Sequence, residues 1–433
     1  MKNTEREYPD IIQMEVTNNC NFNCIMCIRH FWKARLGDMS YSLFEKVATE
    51  AFPHAKRVVM YGEGEPLVHP QFFDLAKLTR ELLPQEGTIF FSTNGSLLTP
   101  RVGDKLVKKI GVDEIAVSVD SSDFVKLKKI RVGAKPSEIF EHIKHLGKIK
   151  KEAKRDFKLG VETVIMKANL TDLPYLIEQV AEMNVDYISV SHLVPYTEAL
   201  AKQAVYVLVT QEAYDIIKDA IDYGWDLIRL SAYEKLALSY GYEERTKASE
   251  ILKTLWSKAK EREVEINIPL VLKEKEKLGN MHFVEKVFDE ARKVAQEMGI
   301  EVILPDILPK ETERTCPYIE KNATMIRSDG EVVPCFNFSY THTSFVNGHT
   351  KQEEYVSFGN VKERTLKEIW NSKEYKEFRD LRRDMHNNIP WCGNCPFSTM
   401  DCWFVRSNEM DCYGQKPSCS ECLYSVNITR CLL

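Results

Sequence analysis

Cys20, Cys24 and Cys27 share one short stretch, CNFNCIMC, with the spacing CxxxCxxC. Three thiolates this close can hold three irons of a 4Fe-4S cube and leave the fourth iron without a protein ligand. A four-cysteine electron-transfer site closes every position. An open iron is a place where a small molecule can bind and react. The competing readings are a structural zinc loop and an incomplete ferredoxin site. Zinc loops mostly pair one CxxC knuckle with a distant second pair, whereas here no further cysteine occurs until Cys316. The spacing favours the open cluster, and the triplet alone leaves zinc open.

A loop of this kind needs a rigid support. Directly before it, Ile11–Thr17 alternates as a strand does. Further strands are predicted at Arg57–Met60, Thr88–Ser92, Glu114–Val119, Lys158–Met166 and Tyr187–Leu193, several of them short apolar or β-branched runs bounded by Gly, Pro, Asn or Asp. Helical spacing lies between them, as in Leu43–Phe52, where Ser42 and Glu45 match a capping box, and in Ile139–Lys151. Six strand–helix units imply a parallel sheet, because parallel neighbours need a crossover. Six are too few to close an eight-stranded barrel. The expected fold is therefore α/β, a partial (β/α)6 TIM-type barrel with its functional groups on loops at the C-terminal strand ends. The cysteine loop follows the first strand, which is that place.

The other strand ends carry Tyr61-Gly62-Glu63-Gly64-Glu65-Pro66, Ser92-Thr93-Asn94-Gly95 and Ser118-Val119-Asp120-Ser121. Glycines let a ligand approach the backbone, and hydroxyl, amide and carboxylate groups can bond an amino acid's charged end or a ribose. Taken singly, each is as well explained by a βα turn or by helix capping. Together, at the ends of separate strands of one sheet, they point to a ligand site.

Residues 11 to about 195 resemble the radical S-adenosylmethionine (SAM) superfamily. Cys20, Cys24 and Cys27 match its cluster motif. The resemblance implies that Gly62, Glu63, Gly64 and Glu65 bind the amino group of SAM. It also places Ser92, Thr93, Asn94, Ser118 and Asp120 at its carboxylate and ribose, and Gly160–Met166 with Asn169 and Leu170 along its adenine. The family usually has an aromatic residue before the third cysteine. Here it is Met26, a polarizable side chain that can still lie against adenine.

Nothing between Cys27 and Cys316 is cysteine, yet the tail is crowded with it: Cys335 after Asp329-Gly330-Glu331-Val332-Val333-Pro334, then Cys392, Cys395, Cys402, Cys412, Cys419, Cys422 and Cys431. With Phe358-Gly359-Asn360-Val361 and Leu366-Lys367-Glu368-Ile369-Trp370 between, the order is similar to the SPASM domain, which carries auxiliary 4Fe-4S clusters. Cys316, Cys335, Cys392, Cys395 and Cys402 match that pattern best; a CxxxC step expected after Cys402 is missing. Nine cysteines fill two four-ligand clusters with one left over, or one cluster and a zinc knuckle. Two clusters are favoured, and the sequence does not partition the ligands. The spare thiol reads as either a structural or a reactive group.

Residues 197–310 form an expected helical enlargement, with Gln211–Tyr223, Ala248–Glu263 and Phe283–Met298 at helical intervals and a short strand in Gly299-Ile300-Glu301-Val302-Ile303-Leu304-Pro305. It could cover the substrate opening or dock a partner. Its Lys273-Glu274-Lys275-Glu276-Lys277 run reads as a solvated helix face. The expected domains are thus a barrel over 1–196, the enlargement over 197–310 and a small cysteine-rich iron–sulfur domain over 311–433.

The chain has 433 residues, 44% hydrophobic, with a net charge of -5 and a pI near 6.1. These values suit packed globular cores and give no reason to expect a nucleic-acid partner. No apolar run spans a bilayer, and MKNTEREYPD lacks a signal peptide's apolar stretch, so a cytoplasmic protein without membrane association is expected. Twelve cysteines then read as metal ligands rather than disulfides.

The ending Asp401-Cys402-Trp403, Asn408-Glu409-Met410-Asp411-Cys412, Pro417-Ser418-Cys419, Glu421-Cys422-Leu423 and Arg430-Cys431 resembles the cofactor-modifying maturases associated with tungsten-containing aldehyde:ferredoxin oxidoreductases. The resemblance implies reductive cleavage of SAM to a 5′-deoxyadenosyl radical, electrons from a ferredoxin-like donor, and hydrogen abstraction from the tungstopterin cofactor, a precursor, or the oxidoreductase polypeptide. One or two auxiliary clusters would accept the product electron or ligate substrate. No residue stands out as general acid or base. Two alternatives remain: a peptide-modifying radical SAM/SPASM enzyme, and a non-catalytic iron–sulfur carrier or scaffold. The polar strand ends argue against the carrier, which has no use for them.

Overall fold

A computed structural model describes residues 6–152, 156–223, 247–431 and 433. Six strands stand where alternation places them: β1 Ile11–Met14, β2 Arg57–Val59, β3 Thr88–Thr93, β4 Glu114–Ser118, β5 Lys158–Ile165 and β6 Tyr187–His192. They pair in that order, all parallel, so their C-terminal ends lie along one rim. The sheet is larger than six. The short strand expected near residue 301, β7 (Glu301–Ile303), pairs in parallel with β6. β8 (Ala323–Ile326) pairs in parallel with β1 and carries antiparallel β9 (Val332–Val333). Both edges of the six-stranded core are thereby covered by later segments, which removes exposed ladder groups.

Period-two alternation sorts the side chains into two faces. Ile12, Met14, Val58, Ile89, Phe91, Ile115, Leu159 and Ile188 pack outward under the helices in the main core. Ile11, Val59, Phe90 and Ala116 face the interior, where they meet Tyr318 and Leu433 from the C-terminal part. Gly160 is small for a reason: a Cβ there would lie 2.1 Å from the Tyr187 ring, which crosses the interior from β6.

The first helix runs over Tyr41–Ala51 and is capped by Ser40, whose side chain accepts from the Leu43 N–H. The capping box assigned to Ser42 and Glu45 is therefore corrected by two positions: the rival hydroxyl at Ser40 takes the cap, and Ser42 lies in the first turn. The helix over Lys275–Met298 ends at Gly299 in the left-handed region (φ 68°), which suits glycine. Residues of the enlargement, such as Leu252, Leu255 and Ile268, share a core with Trp391, Leu423 and Ile428 of the C-terminal part, so it packs there as a layer. The Lys273–Lys277 run is not uniformly solvated. Lys277 and Glu274 pair at 2.6 Å with side chains only 15% and 17% exposed, at the junction between two helices.

The two glycine-bearing motifs of the tail interlock. Val332 N–H donates to Gly359 O, Phe358 N–H to Val332 O and Val361 N–H to Gly330 O. Thr365 and Glu368 form a capping box on the helix over Leu366–Trp370. Among the described residues no helix is long and apolar enough to cross a membrane, and the twelve cysteines are free thiols.

Candidate functional site

The cysteine loop leaves β1 through Glu15, a fully buried carboxylate that motif reading missed. Its Oε1 accepts from the Glu63 N–H at 3.0 Å. Its Oε2 accepts from Ser328 N–H at 3.1 Å and from the Tyr340 hydroxyl. One side chain thus ties the turn after β2 to the C-terminal part. Gly62 and Gly64 are explained by the same contacts. A Cβ on Gly62 would meet the Glu15 side chain at 2.4 Å, and one on Gly64 would meet the carbonyls of Thr17 and Asn19 at 2.4 and 2.5 Å. These glycines are required by close packing against the cysteine loop.

Glu65 latches the next rim loop. Its Oε1 accepts from the Thr93 hydroxyl at 2.7 Å and its Oε2 from the Asn94 N–H at 2.6 Å. The Leu67 N–H adds a third bond at 3.1 Å. Burial pushes this carboxyl up to about 6 against the pull of those donors. Its oxygens are committed to the protein, so its place is that of a brace. Asn94 then reaches back to the cysteine loop, donating to Asn21 Oδ1 at 2.8 Å and lying 3.8 Å from Cys20 Sγ. Glu63 differs: its Oε1 is buried without a partner, and burial, with the charge of Glu15, raises its carboxyl well above the ordinary range.

The three thiols are partly buried. Burial pushes Cys27 up to about 12, and Cys20 and Cys24 upward as well. A bound cation reverses that preference and takes them as thiolates, with release of protons. Backbone bonds hold the loop: Cys27 N–H donates to Cys24 O, and Asn23 and Ile25 donate to Val132 and Ile130.

A cavity of about 230 Å³ opens inside the barrel beside Met26, Tyr61, Arg131, Glu162 and Ser191. Arg131, which the motifs did not reveal, is held by Asp120 through Nε–Oδ2 at 2.7 Å and Nη2–Oδ1 at 3.1 Å. Asp120 also accepts from the Val164 N–H. Its carboxylate, accepting on both oxygens, positions Arg131. Ser92 donates to Glu162 Oε2 at 2.9 Å, while Glu162 Oε1 has no partner. Burial raises Glu162 to about 7. Ser118 stands opposite Glu162 in the β4–β5 register. Met26 packs with Ile130, Met166 and Leu193, an apolar patch at the mouth. Asn169, by contrast, spends its amide on Asp120 O, Val164 O and the Met166 N–H, and Leu170 lies in the main core; neither lines the cavity.

The tail thiols lie near one another, with Cys316, Cys335, Cys419 and Cys422 all against the main core. Cys316, Cys335, Cys419 and Cys422 act on one another. Cys395 feels Cys402, Cys412 feels both of them, and Cys392 feels Cys395. Cys431 lies in the barrel interior near Tyr61, Tyr318 and Phe336, in the same cluster as Cys316 and Cys335, and feels Cys422 and Cys316. Among the described residues no three His, Cys, Asp or Glu side chains converge as a single-ion site.

Residues 14–154 match the family model of the radical SAM superfamily, and residues 316–396 match SPASM, an iron–sulfur cluster-binding domain. Over 427 residues the chain is 30% identical to the tungsten-containing aldehyde ferredoxin oxidoreductase cofactor-modifying protein of Pyrococcus furiosus, spanning 97% of this chain and 96% of that one. This chain belongs to the radical SAM/SPASM family. It is a radical SAM enzyme whose cofactors are SAM, the 4Fe-4S cluster that binds it, and auxiliary 4Fe-4S clusters. It is also 28% identical over 188 residues to the AdoMet-dependent heme synthase of Methanosarcina barkeri, spanning 43% of this chain and 51% of that one. The structure of Streptococcus suis SuiB bound to S-adenosylmethionine aligns with 15% identity and a TM-score of 0.48, over 87% of this chain and 68% of SuiB.

The residues present fit these groups. The rim supplies three soft sulfur donors on one loop and, next to them, a buried carboxylate oxygen without a partner. The cavity adds a guanidinium and a second unpartnered carboxylate oxygen. The tail supplies nine further thiols.

Proposed function

We propose that this radical SAM enzyme holds its SAM-binding cluster through Cys20, Cys24 and Cys27 and acts on the tungstopterin cofactor, a precursor of it, or the polypeptide of a tungsten oxidoreductase. The observation that carries the reading is the cross-tied rim, in which Glu15, Glu65 and Asn94 fix the cysteine loop against the loops after β2 and β3. Once bound, SAM and its cluster would supply reductive radical chemistry for hydrogen abstraction from the substrate.

The chain's own residues bind, orient and exclude water. The unpartnered Glu63 Oε1 would accept from the SAM ammonium, and Arg131, fixed by Asp120, would receive its carboxylate. Thr93 and Asn94 hold the rim backbone against that end. Ser92 and Glu162 would meet the ribose, and Met26 would lie against the adenine. The four thiols of Cys316, Cys335, Cys419 and Cys422 hold one auxiliary cluster, and those of Cys392, Cys395, Cys402 and Cys412 the other. Electrons come from a ferredoxin-like donor. The substrate assignment leans on the name of the Pyrococcus relative, which is similar along nearly the whole chain.

The test is deuterium transfer. Reduced, cluster-loaded enzyme is given SAM with either a tungsten oxidoreductase in its cofactor-free form plus pterin precursor, or a short peptide, each prepared in deuterated form. Deuterium in 5′-deoxyadenosine from the oxidoreductase mixture alone supports the proposal. Deuterium from the peptide alone transfers the enzyme to the peptide-modifying class.

A further inference from the structure

Below the reaction cavity lies a second one, of about 370 Å³, at the N-terminal strand ends, the opposite side of the barrel from the cysteine rim. The chain's final segment separates the two: Tyr424, Arg430 and Cys431 line both. Arg57, Lys158, Lys321 and Arg430 bring four cations to this floor cavity, against the carboxylates Glu114 and Glu301. Glu301 and Lys158 are exposed at the rim, where the cavity meets solvent.

The carboxylate inside is already used. Glu114 Oε2 accepts from Arg57 Nη1 at 3.0 Å and its Oε1 from the Tyr187 hydroxyl at 2.6 Å. Lys321 donates to Leu433 O. Among the described residues the Arg430 side chain hydrogen-bonds the neutral Leu304 carbonyl, at 2.7 Å, with the Asp306 carboxylate close enough to act on it. Three polar groups are left over: Arg57 Nε, Arg430 Nε and the Thr429 hydroxyl are buried without partners, and Thr429 is 2% exposed. An unpaired buried donor is costly. A pocket with orphaned guanidinium donors beside a buried, unpartnered hydroxyl is completed by an oxoanion, which charge-assisted hydrogen bonds hold well.

We propose that the floor cavity binds a phosphoryl-type oxoanion through Arg57, Thr429 and Arg430. The cavity lies on the far side of Cys431 from the SAM-facing side chains, so the proposal stands or falls independently of the SAM chemistry. The ligand is either free phosphate or the phosphate of a larger molecule.

Titration calorimetry on the cluster-loaded full chain in phosphate-free buffer of fixed ionic strength tests it, with inorganic phosphate and glycerol 1-phosphate as probes. Saturable binding is expected, weakened at least tenfold by Arg430→Gln, more weakly by Thr429→Val, and partly restored by Arg430→Lys. Tighter binding of the ester assigns the site to a larger phosphorylated ligand; equal binding assigns it to the free anion. Iron content and circular dichroism show which variants have folded. Should Arg430→Gln fail to fold, Thr429→Val carries the test, since it removes one hydroxyl and no charge. Absence of saturable binding by the wild type, or equal affinity in the folded variants, overturns the proposal.

Discussion

Gly64→Ala tests whether the rim is as tightly packed as its contacts imply. The added methyl would stand 2.4 Å from Thr17 O, 2.5 Å from Asn19 O and 2.8 Å from the Asn18 carbonyl carbon. Ordinary contact begins near 3.4 Å, so backbone must give way by about 1 Å, and no flexible side-chain tip is available to yield. The displaced backbone leads directly into Cys20. Glu65 N–H, one residue beyond the methyl, donates to the same Asn19 carbonyl at 2.8 Å, so that latch opens too. Overpacking of this kind costs about 1–3 kcal/mol of stability, and a misplacement of about 1 Å at reacting groups costs on the order of 10²-fold in rate. The assay is iron per chain and 5′-deoxyadenosine formation after anaerobic reconstitution, with Gly37→Ala as control. Gly37 lies on the neighbouring loop, and a Cβ there meets nothing within 4 Å. Gly64→Ala is expected to lose cluster or rate while Gly37→Ala keeps both. Full iron content and a rate within about threefold of wild type in Gly64→Ala would refute the reasoning.

Asp120→Ala removes the carboxylate from a buried guanidinium, since Asp120 is 1% and Arg131 9% exposed; it should cost about 3–5 kcal/mol in urea unfolding, and a loss below about 1 kcal/mol would show that the pair is not structural. Glu162 keeps its proton to about pH 7 in the fold and releases it near 4.5 when unfolded. Stability should therefore fall as pH rises between those values, by up to about 3 kcal/mol, and Glu162→Gln should flatten the slope; an unchanged slope counts against the buried environment. Among the tail thiols, Cys422→Ala and Cys412→Ala should each lower iron by about four per chain, and the double variant by about eight, while Cys431→Ala loses none. Loss of iron in Cys431→Ala, or no further loss in the double variant, breaks the partition into two groups.

The strands were legible because their alternation is undisturbed: all six begin at the residue expected and end within three of the expected position. β8 was not, since four residues of Ala-Thr-Met-Ile carry no sign that they pair with β1, some three hundred positions earlier. At the rim, the cysteines and the polar strand ends could be read from type and spacing. Their use of one another could not. Gly62 and Gly64 suggested room for a ligand, but their neighbours are Glu15 and the Thr17–Asn19 backbone. Asp120 suggested a ribose contact, but Arg131, eleven residues away, takes both oxygens. Glu15 was overlooked because a lone carboxylate at a strand end has no spacing signature; its partners, Glu63, Ser328 and Tyr340, are distant in the chain. The cysteine partition has the same origin. Cys316 and Cys335 pack on the main core with Cys419 and Cys422, across the intervening Cys392–Cys412 set, an order that spacing alone does not encode.

The most direct test of the account is SAM cleavage by the reconstituted chain. Anaerobically loaded protein, reduced with dithionite and mixed with SAM, should release methionine and 5′-deoxyadenosine, and Cys24→Ala should release neither while keeping its auxiliary clusters. Equal 5′-deoxyadenosine from Cys24→Ala, or none from a wild type with all clusters loaded and SAM bound, would contradict the claim that Cys20, Cys24 and Cys27 hold the reactive centre.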